Sequence, residues 1–102
     1  MTMKLLTDAG GGTNGDAIEP GANDINGRTR RLSGTLFVTG TFNGANAGLE
    51  LSPNGTEWVR ATDLTLAGPG AVNIEFWTYR YRAFVEGGDT STAVTIHIEG
   101  AG

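Results

Sequence analysis

The sequence predicts an all-β fold: an antiparallel β-sandwich, jelly-roll or immunoglobulin-like, or a related barrel, with an extended N-terminal arm. Three observations predict it. From Leu36 to Ile98 apolar residues alternate with polar ones in run after run, as in strands that bury one face. Turn signals separate these runs at short intervals: Asn43-Gly44, Ser52-Pro53-Asn54-Gly55, Gly68-Pro69-Gly70 and Gly87-Gly88-Asp89. Finally, 17 glycines and 3 prolines in 102 residues suit many turns and short strands, and no stretch has the helical period.

Taken in order, residues 2–7 read as a short strand. Asp8 to Arg28 follows with six glycines, no aromatic residue and only Ile18 and Ile25 as sizeable apolar side chains, too few to hold a core of its own. This stretch divides the chain into an arm over 1–29 and a sandwich domain over 30–102. A structureless stretch of this length inside a compact domain is unusual and more often functional or a linker. It reads either as a disordered or loosely packed surface loop or as an arm that becomes ordered on another protein surface. In the domain, Leu36, Val38, Gly40 and Phe42 share one face, and Leu49 and Leu51 face one way on the returning strand. Glu57 to Arg60 forms another strand, and Leu64 and Leu66 mark a short one. Val72, Ile74 and Phe76 then alternate with Asn73 and Glu75. Tyr79, Tyr81 and Ala83 alternate with Arg80 and Arg82, and Val94, Ile96 and Ile98 close the series. The total is seven or eight strands.

Composition narrows the function. The absence of cysteine removes disulfides, thiolate metal sites and cysteine nucleophiles together. A net charge of −4 argues against a phosphate-neutralising surface, and Arg28, Arg30 and Arg31 form an isolated basic cluster, so nucleic acid is not an expected partner. No run approaches the apolar length of a membrane helix and the first residues make no secretory signal, so the expectation is a soluble protein made in a cytoplasm. A small β domain without staples needs help from a partner or from copies of itself.

Catalytic patterns are weak, and no enzyme activity, cofactor or metal is expected. His97 is the single histidine and falls on the polar face of the last strand; Ser33, Ser52 and Ser91 lack a nucleophile-elbow context. The glycines of residues 10–15 are followed by Asp16 rather than by the Lys-Ser/Thr of a phosphate loop. Asp16, Glu19, Asn23, Asp24 and Asn26 are hard oxygen ligands, but their spacing fits no known calcium loop. The most suggestive feature is Phe76-Trp77-Thr78-Tyr79-Arg80-Tyr81. Strict alternation puts Trp77, Tyr79 and Tyr81 on an outer face, where aromatics anchor interfaces or stack on sugars. A bend near Thr78 would instead return the tyrosines to the core. Both readings stay open.

Val38-Thr39-Gly40-Thr41-Phe42-Asn43-Gly44-Ala45, followed by Leu49 to Trp58 with its Ser52-Pro53-Asn54-Gly55 turn, resembles a hairpin pattern of small structural proteins of tailed phages. Tyr81 to Val85 and Ala93 to Ile96 are similar to that family's closing strands. The resemblance covers residues 36–98 and treats Asn54, where aspartate is commoner, as equivalent to it. Among such proteins this chain most resembles a capsid decoration, or cement, protein. That implies a virion protein on the capsid exterior, bound to the major capsid protein, often as a homotrimer, with the arm reaching over neighbouring subunits. Ile18 and Ile25 would then be apolar anchors, Pro20 would stiffen the arm, and Arg28, Arg30 and Arg31 would meet acidic groups, with Trp77 and Tyr79 as further contacts. The same turn is also similar to one in discoidin-type carbohydrate-binding sandwiches, which makes a sugar-binding module, free or in a tail fibre, the alternative.

Overall fold

The structure is a computed structural model that describes the backbone of residues 2–18 and 30–100, with side chains for all of these except Thr2, Met3, Arg30 and Arg31. Eight strands are present: β1 (Thr2–Ala9), β2 (Thr13–Asn14), β3 (Arg30–Thr41), β4 (Ala45–Ser52), β5 (Val59–Leu66), β6 (Gly70–Thr78), β7 (Arg80–Gly87) and β8 (Ala93–Glu99). They form two antiparallel sheets, β1-β8-β3-β6 and β2-β7-β4-β5, packed as a β-sandwich. First pairs with last, second with seventh, third with sixth and fourth with fifth. A long hairpin wound around itself gives this order, which is that of a jelly roll.

The alternation read in the sequence is the alternation of burial. Leu32, Leu36 and Val38 of β3, with Val94, Ile96 and Ile98 of β8, face Ala47 and Leu49 of β4 and Tyr81, Ala83 and Val85 of β7. The turn over Asn43 and Gly44 is tight, both residues having positive φ, and Ala45 N donates to the Phe42 carbonyl at 3.0 Å. On the outer face of the first sheet, His97 stacks on Phe37 with ring centroids 5.1 Å apart.

Two expectations are corrected and one open alternative is decided. Residues 2–18 are not a separate arm. β1 pairs along β8, Ala9 is buried, and Thr13-Asn14 pairs with Phe84 and Val85. Gly12 and Gly15 donate to the carbonyls of Val85 and Ala83 at 2.7 and 2.8 Å, and Ile18 exchanges both backbone hydrogen bonds with Tyr81. A segment too poor in side chains to build a core is held by its backbone, because β7 offers a free row of donors and acceptors. Ile18 is thereby half-buried against the core.

Second, the runs around Arg60 and Leu66 are one strand. Between Arg60 and Thr65, four residues of β5 stand against Leu49 alone on β4, a bulge closed by Thr65 Oγ1 donating to the Ala61 carbonyl at 2.9 Å. The bulge presses on Gly48, where a Cβ would overlap the Leu64 carbonyl. Of the two readings left open at the aromatic run, the bend near Thr78 is the one found, and Trp77 and Tyr81 do not share a face. The chain leaves one sheet and enters the other at Tyr79, so Trp77 points out while Tyr81 is fully buried, edge-on to Phe76 with centroids 6.0 Å apart.

Candidate binding surface

Among the described residues the large hydrophobic side chains that stand exposed are Val59, at 64%, and Trp77, at 46%. They meet at one corner of the sandwich. Thr78 pins this corner: it is buried, and its Oγ1 lies 3.0 Å from the Ser52 carbonyl and 3.1 Å from that of Arg80. Without that double contact the strand would have no fixed point at which to change sheets. Tyr79, just beyond, carries the Arg80 guanidinium over its ring at 4.0 Å, and Arg80 also donates to the Tyr79 carbonyl at 2.9 Å.

The Ser52–Gly55 turn builds the opposite wall. Buried Ser52 accepts from the backbone N–H of Gly55 at 2.7 Å and of Asn54 at 3.3 Å. Asn54 Oδ1 accepts from the backbone of Thr56 and Glu57, each at 2.9 Å, while its Nδ2 donates to Glu57 Oε1 at 2.8 Å. Aspartate is therefore not equivalent here: it would keep the acceptor but set a second carboxylate against Glu57. The rigid turn places Pro53 beside Val59, Trp77 and Tyr79 around a hollow of about 240 Å³ floored by Leu51. Its hydroxyls are already committed, Ser52 as acceptor to the turn and Thr78 as donor to the chain. What remains is mostly apolar surface, with the indole N–H of Trp77 and the hydroxyl of Tyr79.

No family model, curated protein or solved structure matches this chain.

Of the residues expected to bind a partner, Trp77 and Tyr79 come together at this corner. Arg30 and Arg31 belong to β3, opposite Thr78 and Trp77. Pro20, Ile25 and Arg28, and the oxygen ligands Glu19, Asn23, Asp24 and Asn26, lie outside the described residues. Val59 and Pro53 are the additions that sequence reasoning missed. The sequence carries one signal for Val59, an apolar residue between Trp58 and Arg60 where both neighbours turn out to serve the other face.

That other face is an arginine–aromatic layer on the outside of the second sheet. Arg82 lies over Trp58 at 4.3 Å and bonds Glu50 at 2.8 Å. Arg60 lies over Phe84 at 4.0 Å and bonds Glu86 at 2.6 Å. The outward-facing Phe84 is sealed beneath Arg60, and a smaller, more polar hollow of about 200 Å³ lies beside them, lined also by Gly12, Asn14, Glu50 and Glu86.

Proposed function

We propose that the protein is a virion structural protein that binds the outer surface of a tailed-phage capsid and stabilises the shell, docking through the Trp77–Val59 corner. The observation that supports this reading is the exposure of two large apolar side chains around a mostly apolar hollow, in which the Ser52 and Thr78 hydroxyls are engaged within the chain and the Trp77 indole N–H and Tyr79 hydroxyl are the other polar groups. Such a site suits one large apolar side chain of a protein partner, the pattern of an interface hot spot. A sugar needs free donors and acceptors beside its aromatic platform, which disfavours the carbohydrate alternative at this corner. Fold alone does not separate the two, since jelly rolls serve in both capsid and lectin domains. Backbone pairing adds support: Ile18 pairs with Tyr81 and Arg30 with Thr78, on either side of Tyr79 in the sequence.

The test uses capsids assembled from a major capsid gene neighbouring this one. Wild-type protein should saturate them, and Trp77→Ala or Val59→Asp should weaken binding at least about tenfold. Undiminished binding by both variants would overturn the docking site. Retention on a glycan panel, lost in Trp77→Ala and without capsid binding, would establish the carbohydrate reading instead.

A further inference from the structure

We propose that β6 is a self-pairing edge: two copies of the chain join β6 to β6, antiparallel about a twofold axis at Ile74, and their four-stranded sheets become one of eight. The inference rests on reading the β5–β6 side as a binding surface, but not on the identity of the shell partner. It gives a twofold association, where the resemblance implies a threefold one.

The four sheet edges are not alike. A long, regular edge invites pairing, and proteins blunt edges with short strands, bulges, Lys or Pro. β1 carries Lys4 and two register shifts, β2 has two residues, and β5 is broken by its bulge. Among the described residues β6 has none of these protections. Its nine residues run in unbroken register with β3, from Thr78↔Arg30 to Gly70↔Val38, and Glu75 is their one charge. Beside this edge the sandwich is also open. A hollow of about 480 Å³ between β6 and the β5 bulge reaches Leu51, Leu64, Ile74 and Phe76.

The sequence of β6 is complementary to itself in one register. Val72, Ile74 and Phe76 face the core and Ala71, Asn73, Glu75 and Trp77 face out, so only registers that keep these faces together extend the sheet. Full overlap of all nine residues sets Ile74 against Ile74 of the second copy. Asn73 then opposes Glu75, Ala71 opposes Trp77 and Val72 opposes Phe76, with no like charges across the ribbon. Sliding to set Glu75 against Glu75 shortens the overlap and opposes two carboxylates.

Asn73 tests both the edge and its register. It is exposed, its side chain accepts from Thr35 at 3.1 Å, and it lies outside the Trp77 corner. Asn73→Glu would face Glu75 of the second copy twice per dimer, and Asn73→Lys would place an opposite charge there twice. Sedimentation equilibrium of the full chain, without capsids, should show a wild-type dimer, about tenfold weaker in Asn73→Glu and about tenfold tighter in Asn73→Lys. Circular dichroism confirms that each variant is folded. A wild type and Asn73→Lys that stay monomeric throughout, a trimer, or two variants shifted in the same direction would overturn the proposal. None of these results depends on shell binding, which the Trp77 and Val59 variants read separately.

Discussion

Tyr81 shows how much a single position carries in a domain of this size. It lies on the core side of β7, fully buried, with its backbone tied to Ile18 and its ring against Phe76. Burial disfavours the phenolate and raises its pKa from 10.0 to about 12. The folded protein therefore holds a proton that the unfolded chain gives up near pH 10. The stabilising effect of the neutral phenol is complete below pH 10 and is lost as pH rises through 12, roughly 2–3 kcal/mol in all. Denaturant titrations between pH 9 and 12 should show stability falling over this window. Tyr81→Phe, which removes the titrating group and keeps the ring, should flatten that slope. An unchanged slope in the variant would place the alkaline transition on other groups.

At the scale of the element, β5 and the β6–β7 corner are each set by one small contact. The β5 bulge fits only because β4 has no side chain at residue 48. Gly48→Ala drives a methyl group into backbone, which cannot yield as a flexible side chain can. It should cost about 2 kcal/mol or more, read as a lowered melting temperature with the same sheet signal in circular dichroism. Loss of less than about 0.5 kcal/mol would mean that the bulge re-registers freely. At the corner, Thr78 lets one continuous apolar–polar pattern serve two sheets, which is why Trp77 and Tyr81 part company although strict alternation pairs them.

For the whole molecule, the winding of the jelly roll makes the N-terminus structural. β1 covers β8, and the stretch that follows runs along β7, so the chain closes only when its first and last strands meet. Deletion of residues 2–9 should therefore abolish cooperative thermal unfolding. Removal of a passive arm would leave it intact, so a sharp transition in the truncated chain would contradict the pairing of β1. With every sheet joined across long sequence separations, refolding is expected in the millisecond-to-second range typical of all-β domains.

The sequence by itself determined what depends on local pattern. Period-two alternation identified the strands from β3 to β8, except that it split β5 in two, and the inner faces of β3, β4, β6 and β8. Asn43-Gly44 and Ser52–Gly55 located turns, because side-chain direction and turn chemistry are set within a few residues. It also singled out Trp77 and Tyr79. What it did not determine was whatever depends on residues distant in the chain. Gly10 to Ile18 looked like an arm because its side chains are poor, yet its hydrogen bonds to β7 hold it to the body, and backbone pairing leaves no trace in composition. Jelly-roll and immunoglobulin-like windings share the same strand pattern, and only the pairing of first with last separates them here. Val59 and Pro53 joined the candidate site because exposure is a property of what folds over a residue, and only the tertiary structure decides that.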